Sequence, residues 1–543
     1  MDTDIAMSPA SQAEPPAHGR DAGGIWDAVI IGAGFGGLAM AHGLTRIPEL
    51  RFVVLEKAAR LGGTWRDNRY PGCACDIPSH LYSLSFAPNP DWSRMFAPQP
   101  EILAYMEGVA ERIGLGERLR LGVGVAAARW DEQDHCWRLA LSNGTELVTR
   151  VLISAMGVLH HPALPDIPGR DDFAGETLHS AIWNDQVALA GKRVAVIGTG
   201  ASAIQIVPEI AKLAGGVTVF QRTPPWIAPK YDRPIEAERR AQFARRPLSR
   251  LYFRAQLWWA HEKRARGFTS QHPGVLAKTE AMCRRHLERQ VKDPELRARL
   301  TPNYAVGCKR LLISNDWYPA LQRANVALVT DGIARIVKNG VVDGVGRLHP
   351  ADVIIYSTGF DAQGALSRVN IAGTDGRLLA DVWRDTGKSA YLGTTVHGFP
   401  NLFLMTGPNA GSGHTSQLFM LEAQAHYIAR AVARMRARRA TRMEVTARAQ
   451  AAFAADMQGR LDASVWHGGG CRSWYLDANG RNTVLWPSLS TDFWWRTRWV
   501  RGGDYGLAGA DRIGRSSFLK KSSQKLLAVL SRIYSESAGR VAP

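Results

Sequence analysis

Residues 26 to 44 read WDAVIIGAGFGGLAMAHGL, an apolar run that breaks into glycines and resumes in a helical pattern. Ala28 to Ile31 has the unbroken hydrophobicity of a strand buried on both faces. Gly32 permits the tight turn that follows, Gly34 lets backbone approach a pyrophosphate, and Gly37 lets the helix pack on the strand. Helix amides and dipole then face the phosphates. A second strand, Arg51 to Leu55, ends at Glu56, about twenty-odd residues on, where a carboxylate accepts hydrogen bonds from ribose hydroxyls. Residues 191 to 210, GKRVAVIGTGASAIQIVPEI, repeat the plan with Val194 to Ile197, then Gly198, Gly200 and Ser202. Ala203 stands at the third glycine, where a small residue suffices. The next strand, Val217 to Phe220, runs into Gln221, Arg222 and Thr223 rather than an acid, and an arginine beside a hydroxyl suits a 2′-phosphate. The spacing predicts an α/β chain with two Rossmann-type dinucleotide-binding domains: a flavoprotein holding FAD at the first turn and taking hydride from NADPH at the second.

Composition narrows the classes. A chain of 543 residues suits two or three domains rather than one core. The formal charge of +18 is compatible with nucleic acid, an anionic surface or phosphate-bearing cofactors. The arginines are spread through the middle and late helices without an aromatic–basic module, which sets nucleic acid aside. Cys73, Cys75, Cys136, Cys283, Cys308 and Cys471 show no C-x-x-C spacing, predicting neither zinc nor a thioredoxin-like pair, and a reduced, cytoplasmic setting is expected. Residues 1–24, rich in Ala, Pro, Ser and Gly, read as a disordered leader. No run approaches the roughly 20 apolar residues that span a bilayer.

Four further stretches carry a resemblance. Between the two glycine turns, Phe173 to Trp183 reads FAGETLHSAIW, a short linker in which Phe173, Gly175, His179 and Trp183 fit an F-x-G-x-x-x-H-x-x-x-W pattern, followed by Asn184 where Pro or Asp is usual. Leu61 to Asp76 is LGGTWRDNRYPGCACD, Tyr304 to Leu321 is YAVGCKRLLISNDWYPAL, and Cys471 to Pro487 is CRSWYLDANGRNTVLWP. Together these resemble the Baeyer–Villiger monooxygenases, flavin enzymes that convert ketones to esters or lactones, over about Trp26 to Pro487. The resemblance implies FAD and NADPH as cofactors, with O2 and a small-molecule ketone as substrates. Sulfur or nitrogen oxygenation is the alternative, and Trp183 favours the ketone branch. It further implies that Gly63, Thr64 and Trp65 lie against the flavin, that Asp76 holds Arg310, and that Gln205 contacts a cofactor. Lys309 is implied to reach the 2′-phosphate, Asn409 to face the flavin ring, and His179 and Trp183 to act between domains. A permanently protonated arginine is the residue that steadies an anionic oxygen nucleophile in a water-poor site.

The expected organisation is a leader at 1–24, an FAD-binding domain from 25–165 and 385–495, an NADPH-binding domain from 166–224 and 303–384, a helical insert at 225–302 and a basic tail at 496–543. The turn at Ser142-Asn143-Gly144 predicts a hairpin within a small separate sheet. Trp258 and Trp259 in the insert read as packing or as a substrate entry, and Trp474, Tyr475 and Trp486 as an apolar wall beside the substrate. The tail has ten basic against three acidic side chains and an amphipathic run from Phe518 to Tyr534, which makes membrane-surface contact a candidate partner. Nothing in the pattern specifies an oligomeric state.

Overall fold

The computed structural model describes residues 24–269 and 272–509. Almost all of the expected leader, and the run from Phe518 to Tyr534, lie outside them. The first glycine turn sits in an eight-stranded sheet with Trp26–Ile31 near its centre. That strand pairs in parallel with Phe52–Glu56 on one side and Glu146–Ser154 on the other, so Ala28 faces Phe52 and Val151 across the ladder. Helix Phe35–Thr45 is buried along most of its length and packs on Gln417–Ala437. This accounts for its apolar composition on every face.

The hairpin predicted at Ser142 to Gly144 forms, but not in a separate sheet. Strand Glu146–Ser154 is long enough to pair antiparallel with Cys136–Leu141 from Glu146 to Thr149 and parallel with Trp26–Ile31 from Thr149 to Ser154, so the hairpin extends the main sheet.

The second sheet has five parallel strands in the order Val326–Val329, Gly216–Phe220, Arg193–Ile197, Val353–Tyr356 and Glu176–His179. The stretch expected as a linker is therefore partly an edge strand, with Leu178 opposite Ile355. The expected boundary at 384 also moves. Asn370–Ala372 pairs with Ala127 to Arg129 of the first sheet, and Ile371, Leu379 and Trp383 are buried in the first sheet's core with Val29 and Leu139. The chain thus returns to the first domain soon after Tyr356.

The insert folds into helices Ala237–Arg245, Pro247–Thr269, Pro273–Gln290 and Pro294–Leu300. It is tied to the first domain as well as the second. Arg254 donates to the carbonyls of His80 and Ser83 at 3.0 and 2.8 Å, and Trp258 Nε1 lies 3.3 Å from Ser490 Oγ. Trp258 is a packing residue and Trp259 an exposed one. The basic tail does not start at 496: Tyr505–Ala508 pairs antiparallel with Arg442–Val445, and the hydroxyls of Tyr505 and Tyr427 meet at 2.7 Å. Among the described residues, no helix is long and apolar enough to cross a membrane.

Candidate active site

A cavity of about 1370 Å³ runs between the two sheets, and both glycine turns open into it. At the first turn the backbone is bare. A Cβ on Gly34 would meet only Gly63 within reach, at 3.9 Å, and Gly63 itself has φ +51° and faces back at Gly34. Helix Phe35–Thr45 begins with no acid in its first turn and no side chain capping it, so its first amides are left for an anion. The cradle therefore fits a pyrophosphate. Gly37 does not line the cavity. A Cβ there would fall 1.9 Å from the Gly32 carbonyl oxygen, so it serves the close helix–strand contact.

Glu56 lines the same end. Its Oε2 accepts from Ala33 N at 2.9 Å, and its Oε1 from Ala58 N at 3.1 Å and Arg66 Nη1 at 2.9 Å. A carboxylate has about four acceptor positions, so capacity for a ribose hydroxyl remains on Oε2. Sequence reasoning does not single out Arg66, although its position ten residues after Glu56 is a usable charge-pair signal.

The second turn mirrors the first. Gly198, Gly200, Ser202 and Gln205 line the cavity, and helix Ala203–Ile210 likewise lacks an acid in its first turn. Gln205 also joins the domains: its Oε1 accepts from Tyr70 OH at 3.1 Å, and its Nε2 donates to Ala74 O at 3.0 Å. Arg222, Thr223 and Lys309 line the cavity beyond the turn. Burial, joined by the positive charge of Arg222, lowers the Lys309 ammonium below its ordinary value. Two cations that repel one another in this way suit a ligand carrying a dianionic group.

Asp76 and Arg310, 234 positions apart in sequence, meet on the cavity wall. Arg310 Nε donates to Oδ2 at 2.6 Å and Nη2 to Oδ1 at 2.7 Å, a two-pronged pair that fixes the guanidinium plane. Burial, the largest single influence, raises the Asp76 carboxyl, but the Arg310 charge and its hydrogen bonds together outweigh it, and the net shift is downward. The Asp76 charge in turn raises Arg310. Each side chain keeps about a third of its surface open, 33% for Arg310 and 29% for Asp76, so the cation is oriented without being sealed off. Around the pair stand Trp65, whose Nε1 donates to Tyr82 OH at 2.9 Å, and Tyr475, whose phenol burial pushes up to about 12. Thr64 and Trp474 also line the cavity, whereas Trp486 is core, packed on Phe453 and Phe493.

Other expected site residues are not brought to the wall. Asn409 is buried with φ +57°, and its Nδ2 donates to the carbonyls of Asn482 and Leu485 at 3.0 and 3.1 Å. It braces the 482–485 segment instead of facing a flavin. The adjoining helix begins only at Gln417, and Gly411, Ser412, Thr415 and Gln417 occupy the wall there. Phe173, Gly175, His179 and Trp183 lie behind the wall. Gly175 leaves 2.4 Å between a would-be Cβ and Asp352 O, His179 Nε2 is 3.4 Å from Thr358 Oγ1, and the Trp183 carbonyl accepts from Arg69 at 3.2 Å. Burial lowers His179 to about 4, so it is a neutral spacer to a wall residue. His414 is structural, with Nε2 at 3.1 Å from buried Glu262. Unanticipated altogether is a disulfide between Cys308 and Cys471, against the expectation that every cysteine is reduced. A separation of 163 positions hides such a pair from spacing arguments.

Comparison with known proteins gives the family and the fold. Residues 30–98 match the family model described as NAD(P)-binding Rossmann-like domain. A Baeyer-Villiger monooxygenase of Pseudomonas aeruginosa is 47% identical, covering 86% of this chain and 88% of that protein, and one of Streptomyces coelicolor is 44% identical, covering 88% and 91%. Among solved structures, an oxidized steroid monooxygenase bound to NADP superposes with TM-score 0.78 at 32% identity, covering 89% of this chain and 99% of that one. OTEMO in complex with FAD and NADP gives 0.79 at 28%, and closed cyclohexanone monooxygenase 0.80 at 28%, each with the same coverage. With nearly half its residues shared along most of both chains, this protein belongs to the Baeyer–Villiger monooxygenase family.

Proposed function

We propose that this protein uses NADPH and O2 to insert one oxygen atom beside the carbonyl of a ketone, giving an ester or lactone, with Arg310 as the fixed cation at the reacting centre. The observation that carries this reading is the Asp76–Arg310 fork on the wall of a cavity that joins two dinucleotide cradles. FAD in the first cradle supplies reductive activation of O2, and NADPH in the second supplies the hydride. The residues do the rest. Bare backbone at Gly32, Gly34 and Gly63 and the helix amides beyond bind pyrophosphate, and Glu56 orients a ribose. Arg222 and Lys309 bind the 2′-phosphate and so select NADPH over NADH. Trp65, Trp474 and Tyr475 exclude water. Arg310 stabilises the negative charge that develops on oxygen as the carbonyl is attacked, and Asp76 keeps the guanidinium turned toward it. Arg310 stays protonated throughout, so it is an electrostatic partner and not an acid.

Incubation with NADPH, isotopically labelled O2 and a panel of linear, cyclic, aromatic and steroidal ketones tests the reading. One labelled oxygen per ester or lactone is expected. Oxygenation of sulfides or amines alone, with every ketone recovered, overturns it.

A further inference from the structure

Cys308 lies two residues before Arg310, and Cys471 opens the Arg472 to Tyr475 segment that lines the cavity beside it. The disulfide therefore joins the loop that carries the cation to the wall that keeps water from it. The two backbones are already pressed together there. Ala305 N donates to Gly469 O at 3.0 Å, and a Cβ on Gly469 would stand 2.6 Å from Cys308 Cβ. The Cα atoms of the two cysteines are 6.1 Å apart, within the span a disulfide bridges without backbone movement. Beyond it, the wall segment is held at its far end by Tyr475, which is buried with Phe268, Val465 and Trp466 and whose carbonyl accepts from Thr483 N at 3.2 Å, while exposed Trp474 is held through its carbonyl by Gln363 at 3.3 Å. Cys308 is fully buried while Cys471 is only partly buried at the edge of the same apolar cluster, so Cys471 is the more accessible of the two. Cys283 belongs to the same apolar cluster as Cys308, but burial pushes its thiol up to about 12, which leaves it too rarely ionised to exchange with the bridge.

We propose that the Cys308–Cys471 bond is a reversible latch that sets the tightness of the substrate side of the cavity, an inference that rests on the role given to Arg310. Closed, it clamps Trp474 and Tyr475 against the loop carrying Arg310, and water stays out. A dithiol opens it: a thiolate attacks the Cys471 sulfur, Cys308 leaves as thiolate and takes up a proton, and the second thiol of the reagent releases Cys471 as a thiol while closing its own disulfide. Hydrogen peroxide closes it again, two thiols giving one disulfide and two waters. Peroxide is also what NADPH and O2 yield when oxygenation fails, so a leaking site generates the oxidant that reseals it.

The full-length FAD-loaded protein is the object of the test. Thiols are counted in denaturant before and after dithiothreitol treatment, and the linked peptides containing Cys308 and Cys471 are sought by mass spectrometry. The treated protein and the Cys308→Ser and Cys471→Ser variants are then compared for anaerobic flavin reduction by NADPH, ketone KM, and peroxide released per ester formed. Two thiols gained on treatment are expected, with a several-fold rise in KM and in peroxide per ester, unchanged flavin reduction, and recovery on adding peroxide in the wild type but not in either variant. No gain in thiols, or a gain that leaves the peroxide-to-ester ratio where it was, overturns the latch. Should a variant not fold, the reductant and peroxide steps on the wild type decide alone. The thiol count does not depend on ester formation, so failure of the oxygenation reading is seen separately.

Discussion

Arg222 and Arg310 illustrate two uses of the same side chain. Arg222 is exposed on the cavity rim and has no fixed partner among the described residues, which suits a group that waits for a ligand's phosphate. Arg310 is committed to Asp76 through both prongs and offers only its remaining donors and its charge. Losing a charge-assisted bond costs about 1.5–3 kcal/mol, so R222A should raise the KM for NADPH by about 10- to 100-fold and leave that for NADH nearly unchanged. Steady-state kinetics with both nicotinamides check this, and equal losses would remove Arg222 from the 2′-phosphate site. Arg222 is legible in the sequence because it follows a strand at a fixed offset, whereas Arg310 is legible only through the resemblance of the stretch around it, since a Lys-Arg pair by itself looks like surface charge. Asn409 misleads for the complementary reason: a polar residue before a helix looks the same whether it serves a ligand or two carbonyls 73 and 76 positions away. N409A should leave the Leu485 carbonyl without its side-chain donor, strip one of two donors from the Asn482 carbonyl, which keeps Gln458 Nε2 at 3.2 Å, and put Ala at φ +57°. A loss of about 2–4 kcal/mol in unfolding free energy is expected, with the flavin spectrum intact. Unchanged stability with loss of flavin would return Asn409 to the cofactor.

At the scale of elements, the two strand–glycine–helix units are readable because one short stretch contains both the strand pattern and the backbone requirement that ends it. The edge strand Glu176–His179 is not. It is four residues long, only Leu178 and His179 are buried, and its partner Val353–Tyr356 arrives nearly 180 residues later, so its character comes from pairing rather than local pattern. The same holds for Asn370–Ala372, whose pairing with Ala127 to Arg129 moves the domain boundary. The helical insert is foreseeable, but not its grip on the first domain. That grip runs through carbonyl contacts from Arg254 and through Glu262, whose carboxylate accepts from Ser490 N at 3.1 Å. Such contacts leave no periodic trace.

Over the whole molecule, burial has neutralised a set of histidines. His80, His160, His179 and His261 are each lowered to about 4, by burial first and, at His80, by neighbouring arginines as well. Their ordinary value is about 6.5, so between that pH and 4 the unfolded chain binds protons that the folded chain refuses. Their stabilising contribution is complete above about pH 6.5 and is lost progressively as pH falls toward 4, each tenfold difference in proton affinity being worth about 1.4 kcal/mol. Melting temperature against pH should therefore decline below neutrality, and H179Q should flatten the decline. A wild-type profile with no slope in that window would contradict the assignment. The two cradles and the Arg310 fork converge on one cavity because two sheets and an insert from distant parts of the chain are held together, and under the proposed function Arg310 serves the oxygenation step and not the hydride step. The most direct measurement follows both in R310A: the anaerobic rate of flavin reduction by NADPH, then ester formed per NADPH once O2 and ketone are added. Removing one such stabilising group costs about 100- to 1000-fold in rate. Near-normal reduction with ester formation lowered by that factor and peroxide released in its place is the expected result, and an ester yield equal to the wild type would contradict the claim.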